Sequence, residues 1–445
     1  MARVLFGTDG IRGIAGEHPL DEKTIYATGV ALGEWIAGSG REKHVVIGMD
    51  TRESGPWMAS LIAGGLARHC VRTDFAGVTT TPGIAYLAKN RPFAAGVMIS
   101  ASHNPYRDNG IKVLGHSGFK LPDEVEEQIE AGVFRALEEG SEPTPLTLVA
   151  DPELDREYID HLASIVPDGL AGFDIVLDCA NGGASSLAPQ LFERLGVQVH
   201  AIGVAPNGRN INLNCGSLHL DALRQTVLER RAQLGVAFDG DADRVLFVAH
   251  SGKVIDGDAV LLINGRDLHS AGRLTRVVAT VMSNLGLEKA LAADGIELLR
   301  TPVGDKYVLE RMLECGAILG GEQSGHVIFL DHATTGDGIL TALRVMDVMR
   351  RSGEGLDELT SDLQVLPQLL VNVRVREKKP LEHLAPVQAA IAEVEQEFAG
   401  WGRVNVRFSG TEPLARVMVE GPDMERVKAA AERIASEIRG ALGSE

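Results

Sequence analysis

Three carboxylates stand at every second position in Asp239-Gly240-Asp241-Ala242-Asp243, and Arg244 follows them. Acids this close repel one another unless a cation gathers them, and alternate side chains can turn to one side. Hard oxygen donors suit Mg²⁺ or Ca²⁺. An EF-hand calcium loop is excluded: its sixth position requires Gly and holds Arg244, and its twelfth requires Glu and holds His250. A solvated acidic turn is the plainer reading of the hexapeptide taken alone.

The second segment is Ser100-Ala101-Ser102-His103-Asn104-Pro105, with Asn109-Gly110-Ile111-Lys112 close behind. A Ser beside a His suggests a hydrolase, but the G-x-S-x-G elbow is missing and adjacent residues rarely form a base pair of that kind. A serine that carries phosphate fits better, because its anionic oxygens would face a metal held by the three aspartates. His103 and Lys112 are candidate partners for that charge. By itself the segment could equally be a capped turn.

Two further loops could bind a phosphorylated polyol. In Arg407-Phe408-Ser409-Gly410-Thr411-Glu412-Pro413, followed by Arg416, small residues let backbone N–H groups approach an anion and arginine offers a forked donor. A tight turn between strands is the alternative. Gly320-Gly321-Glu322-Gln323-Ser324-Gly325-His326 places a carboxylate, an amide and a hydroxyl between glycines, which suits a sugar whose hydroxyls donate and accept. His326 could exchange protons near neutral pH, although a lone loop histidine is more often a surface residue. There is no Walker A loop and no G-x-G-x-x-G, so the phosphate need not belong to a nucleotide.

Such loops need strand ends to hold them. Short apolar runs at 45–49 and 96–99 read as buried strands and lead into polar loops, with helices expected over 20–37 and 57–70. Strands at 174–177 and 234–238 flank a helix at 184–195; strands at 276–282 and 317–319 precede a helix near 338–351. This alternation predicts α/β layers with largely parallel sheets, whose ligands sit at carboxyl strand ends. The last stretch reads strand 369–375, helix 384–398, strands 403–408 and 415–420, helix 424–442, a small α+β unit. The expected divisions are 1–150, 151–251, 252–366 and 367–445.

At 445 residues the chain is too long for one core, and 44% hydrophobic with 23% charged residues marks a globular protein. No run reaches the roughly 18 apolar residues of a membrane span, and no signal-peptide core opens the chain. Cys70, Cys179, Cys215 and Cys315 are scattered, which suits a reducing cytoplasm. A net charge of −18 argues against nucleic acid or an anionic membrane as partner.

Taken in order, these segments and the opening Phe6-Gly7-Thr8-Asp9-Gly10-Ile11-Arg12-Gly13 resemble the α-D-phosphohexomutase superfamily along essentially the whole chain. The Gly-Glu-Gln-Ser-Gly-His loop and the closing Arg416–Gly421 run are most similar to its bacterial amino-sugar branch. The resemblance implies three α/β mixed-sheet domains and a smaller C-terminal α+β domain around a central cleft. It implies a phosphorylated Ser102, and one Mg²⁺ held by Asp239, Asp241, Asp243 and the serine's phosphate. Glu322 and Ser324 would grip sugar hydroxyls, while Arg407, Ser409, Gly410, Thr411 and Arg416 would hold the non-reacting phosphate. Arg12, His103, Lys112, Arg244 and His326 would serve phosphate contact and proton transfer.

The implied reaction interconverts glucosamine 6-phosphate and glucosamine 1-phosphate, a precursor of amino-sugar nucleotides. It runs through a sugar 1,6-bisphosphate, which also acts as activator, and a mobile fourth domain would let that intermediate turn over. A homodimer is expected on the resemblance alone. The competing readings are a phosphomannomutase or phosphoglucomutase, a Mg²⁺-dependent sugar phosphatase, and a non-enzymatic sugar-phosphate or calcium-binding module.

Overall fold

The computed structural model of the chain describes residues 4–7, 9–409 and 413–443. Four sheets succeed one another along it. The first has six strands in the spatial order Phe6–Gly7, Gly10–Ile14, Asp108–Gly115, Ala95–Ile99, His44–Met49, Arg72–Val78. Its inner strands are long apolar runs because both faces are covered. Helices Glu22–Gly38, Gly55–Ala67 and Asp123–Glu138 bury one face, and helix Thr81–Asn90 buries the other.

The second sheet orders Val254–Ile255, Val245–Ala249, Leu234–Phe238, Asp174–Asp178, Gln198–Ile202. The third orders Glu297–Thr301, Arg276–Thr280, Leu319–Gly321, Val327–Phe329. A single hydrophobic cluster runs from Tyr158 in the second unit to Leu356 in the third, so these two share a core. The last unit has three antiparallel strands, Gln368–Arg374, Leu414–Glu420 and Arg403–Phe408, with helices Ala385–Glu397 and Met424–Leu442. Its core is a separate cluster.

The sheets are mixed, as the resemblance implies, and not largely parallel, as the alternation of strands and helices alone suggests. His44–Met49 pairs in parallel with Ala95–Ile99 and Arg72–Val78, whereas Asp108–Gly115, Gly10–Ile14 and Phe6–Gly7 add antiparallel edges. The strand expected at 317–319 is instead Leu319–Gly321 and pairs with Val327–Phe329, so Gly320 and Gly321 of the 320–326 segment lie in a hairpin strand. In the C-terminal unit the strand–helix–strand–strand–helix order is as the sequence predicts, with bounds within about two residues.

Several helix starts follow from capping. Asp21, Thr80, Asp256, Asn284, Asp337 and Asp423 each accept a backbone N–H of the first turn. Among the described residues no helix is long and apolar enough to cross a membrane.

Candidate active site

The strand Ala95–Ile99 delivers Ser102 to its carboxyl end, where the loop takes an unusual shape. Ser102 has φ 51°, in the left-handed region, and is 1% exposed. A buried arginine holds that strain in place. Arg52 donates to the backbone carbonyls of Ser102 and Asn104 (both 2.9 Å), Asp108 (3.0 Å) and Pro105. Asp50 in turn pairs with Arg52 Nε at 2.9 Å and accepts the Ser100 hydroxyl at 2.6 Å. Asn212, from the second unit, donates to Ser102 O at 2.9 Å.

The strand Leu234–Phe238 ends at the aspartate loop, which meets Ser102 directly. Gly240 permits the approach: a Cβ there would lie 2.5 Å from Ser102 O. Ser102 Oγ donates to Asp239 Oδ2 at 2.5 Å and lies 3.2 Å from His103 Nδ1. Asp239, Asp241 and Asp243 are buried, and one oxygen from each falls within 4.8 Å of the others. Asp241 Oδ1 and Asp243 Oδ1 are buried without a hydrogen-bond partner among the described residues.

Burial and the neighbouring Asp243 and Asp241 push the Asp239 carboxyl well above the usual range, against Arg244 and Ser102. For Asp243 burial acts upward too, but Lys112, His326 and Arg244 outweigh it and hold the carboxyl far down. The donor set is therefore crowded, hard and anionic, with oxygens left over. It fits a divalent cation such as Mg²⁺.

Cations of the first unit line the same cluster. Lys112 sits on the strand Asp108–Gly115, with Nζ 2.8 Å from Asp241 Oδ2, 3.2 Å from Asp9 and 3.5 Å from Asp243 Oδ2. Asp9 also pairs with Arg12 and with Lys120 (2.6 Å), and Lys120 reaches Asp305 of the third unit at 2.6 Å. Arg244 Nε lies 3.9 Å from Asp243. Burial, then the guanidiniums of Arg244 and Arg12, push His103 down to about 4, so its ring is neutral at ordinary pH.

The sugar loop is braced from the side. Gly304, at φ 133°, donates its N–H to Glu322 Oε1 (3.1 Å), and Ser324 lies 3.3 Å from Glu322 Oε2. His326 is buried. The N–H of Gly336 donates to its Nε2 (3.1 Å), so Nδ1 carries the proton and faces Asp243 Oδ2 at 3.7 Å.

In the C-terminal unit Arg407 and Arg416 stand directly opposite each other on paired strands. Burial and the Arg416 charge hold Arg407 below its ordinary value. Like charges so placed disfavour the bare sheet and favour an anion between them. Ser409 N donates to Leu414 O at 2.8 Å, and Lys378 donates to Ser409 O at 2.6 Å. Gly410 and Thr411 lie outside the described residues.

The structure thus brings Ser102, His103, Lys112, Arg244, His326 and the three aspartates together. Sequence reasoning missed Asp50, Arg52, Thr81, Lys120 and Asp305, and gave Asp9 no role. Asp50 and Arg52 follow a predicted strand directly, the one signal that could have found them.

Comparison with known proteins agrees with this geometry. The chain matches models described as phosphoglucomutase/phosphomannomutase alpha/beta/alpha domain I over residues 3–139, domain II over 156–252 and domain III over 256–365. The C-terminal domain of the same family matches 370–437. It is 59% identical to a phosphoglucosamine mutase of Solibacter usitatus over 445 residues, all of both chains. It is 49% identical to the one of Koribacter versatilis, covering 99% of this chain and 98% of that one. Among solved structures, a phosphoglucomutase/phosphomannomutase family protein of Burkholderia thailandensis superposes with TM-score 0.81 at 22% identity, covering 99% of both chains. An Aspergillus fumigatus N-acetylphosphoglucosamine mutase in complex with GlcNAc-6P and magnesium gives 0.66 at 18% identity, covering 98% of this chain and 96% of that one.

Proposed function

The chain belongs to the phosphoglucomutase/phosphomannomutase family, and from that premise we propose that it is an isomerase interconverting glucosamine 6-phosphate and glucosamine 1-phosphate. The observation that carries this reading is Ser102 Oγ, 2.5 Å from Asp239 inside a buried cluster of three carboxylates. A nucleophile pressed against such a cluster suits a carrier of phosphoryl groups more than a hydrolytic serine.

In the forward half-reaction a phosphorylated Ser102 donates to the sugar's free hydroxyl. The P–Oγ bond breaks, a P–O bond to the sugar forms, and the hydroxyl proton leaves to a neutral base, which returns a proton to the departing Ser102 Oγ 3.2 Å away. His103 is that base by position and charge state. In the second half-reaction the other phosphoryl group of the 1,6-bisphosphate returns to Ser102 Oγ and releases the isomeric monophosphate. Added bisphosphate therefore activates a chain whose serine is bare.

Asp239, Asp241 and Asp243 would hold Mg²⁺, which neutralises charge on the transferring phosphoryl group. Arg12, Lys112 and Arg244 contact the reacting phosphate, and His326 orients Asp243. Glu322 and Ser324 bind hydroxyls, and Arg407, Ser409, Gly410, Thr411 and Arg416 hold the phosphate that does not react. Re-seating the bisphosphate asks the C-terminal unit to move, and its separate core and its polar contacts to the third unit, such as Glu420 accepting the N–H of Leu285 at 2.8 Å, support that. Solution scattering and hydrogen exchange that found one closed, rigid shape with and without ligand would refute the movement.

The decisive test follows glucosamine 6-phosphate by phosphorus NMR with Mg²⁺ and a trace of bisphosphate, beside Ser102→Ala. A glucosamine 1-phosphate signal that the variant fails to produce supports the reading. Inorganic phosphate as sole product would make the enzyme a phosphatase. Faster turnover of mannose or glucose phosphates would move the specificity.

A further inference from the structure

Thr81 belongs to none of the motifs above, yet it reaches the aspartate loop from the first unit. It opens the helix Thr81–Asn90, follows the cap Thr80, and is 3% exposed. Its backbone N–H donates to Asp241 O at 3.0 Å, and its hydroxyl donates to Asp241 Oδ2. Lys112 Nζ donates to that same Oδ2 at 2.8 Å. Both donors fall on one oxygen, and Asp241 Oδ1 is left buried with no partner among the described residues.

We infer that Thr81 is a positioning residue for the metal: its hydroxyl fixes the rotation of the Asp241 carboxylate so that Oδ1 faces the cation. A carboxylate's last torsion is broad, so without a directional partner its plane swings and the second oxygen leaves the cation's side. Lys112 is a compact point charge that tolerates a range of carboxylate angles, whereas a hydroxyl on a fixed carbon stem sets one. The neighbours of Thr81 strengthen the assignment. Thr79 Oγ1 donates to Asp155 Oδ1 of the second unit at 2.7 Å, so the threonine run also docks the two units whose residues build the site.

The inference rests on the reading of the aspartate loop as a metal site, and the experiment separates the two. Mn²⁺ is titrated into the full-length chain and its Thr81→Val and Thr81→Ser variants, followed by electron paramagnetic resonance. Intact mass confirms a matched phosphorylation state, and thermal melting confirms folding. Second-sphere partners of metal ligands are worth about 10–100-fold in affinity. Thr81→Val, which keeps shape and loses the hydroxyl, is expected to weaken Mn²⁺ binding by about 10-fold. Thr81→Ser is expected to restore most of it. In turnover assays the Mg²⁺ activation constant should rise by the same factor, with kcat at saturating Mg²⁺ and KM for sugar phosphate held. Wild-type affinity in Thr81→Val would overturn the proposal, as would Thr81→Ser falling as far as Thr81→Val. Should Thr81→Val not fold, Thr81→Ala gives the same comparison with less bulk. A wild-type chain that binds no Mn²⁺ would overturn the metal reading itself, and this inference with it.

Discussion

Around Ser102, side chains from the first two units are nearly fully buried and tied to one another, from Arg52 beneath the serine loop to Asn212 and Thr81 across it. Around Arg407 and Arg416, the guanidiniums sit half-buried on a three-stranded sheet with its own apolar core. That sheet joins the third unit through polar contacts. Buried Glu420 accepts the N–H of Leu285 at 2.8 Å and pairs with Arg403 at 2.6 Å, and Gln368 Nε2 donates to Met282 O at 3.0 Å. A dense, buried network of bonds holds its shape; a few bonds at a small joint locate and can be remade. On the proposed mechanism the reaction centre would hold its shape while the distal grip sits on a part that can be repositioned.

Breaking the buried network should cost the most. Ser102→Ala is expected to abolish phosphoryl transfer in both directions, read by phosphorus NMR, because it removes the oxygen proposed to carry the phosphoryl group. Arg52→Met comes next. It leaves Asp50 buried and unpaired and frees carbonyls of the serine loop, a loss of about 3–5 kcal/mol for one partner of a buried pair. Chemical denaturation measures it, and a change below about 1 kcal/mol would show that the loop holds itself.

The arginine side should respond differently. Arg407→Met removes a charge-assisted contact of about 1.5–3 kcal/mol, so KM should rise roughly 10- to 100-fold with kcat much less affected. A fall in kcat at constant KM would place the pair at the reacting phosphate instead. The smallest effect lies at the joint. Asp258, buried beside Asn284 and accepting its N–H at 2.7 Å, is pushed up to about 7 by burial and by Asp256. A carboxyl raised in the fold contributes stability below its unfolded pKa near 4 and loses it as pH rises through about 7. Wild type should therefore lose melting temperature between pH 5 and pH 8, and Asp258→Asn should lose less.

The two regions also differed in how far the sequence disclosed them. Ser102 and the three aspartates were legible because their chemistry is local: reactive side chains crowd a few positions at a strand's carboxyl end. Thr81 was not, because its partner Asp241 stands 160 residues away and a threonine before a proline reads as a helix start. Lys120 and Asp305 likewise meet only through the fold. The strand Asp108–Gly115 begins with Asp-Asn-Gly, which signals a turn, so its antiparallel pairing was masked and the sheet looked parallel. The C-terminal strands alternate cleanly beside a strongly amphipathic last helix, and there the order of elements could be read directly.

The short contact between Ser102 Oγ and Asp239 ties the enzyme's state of charge to its ionic surroundings. Once that oxygen is esterified it has no proton to give, and a phosphate carrying roughly two negative charges stands against a carboxylate. A cation between them becomes worth more, and by reciprocity the ester gains as much from the cation as the cation gains from the ester. A chain that has discharged its phosphoryl group is then also a weaker holder of metal. On the proposed mechanism, magnesium drawn down in the medium would leave a growing share of molecules idle.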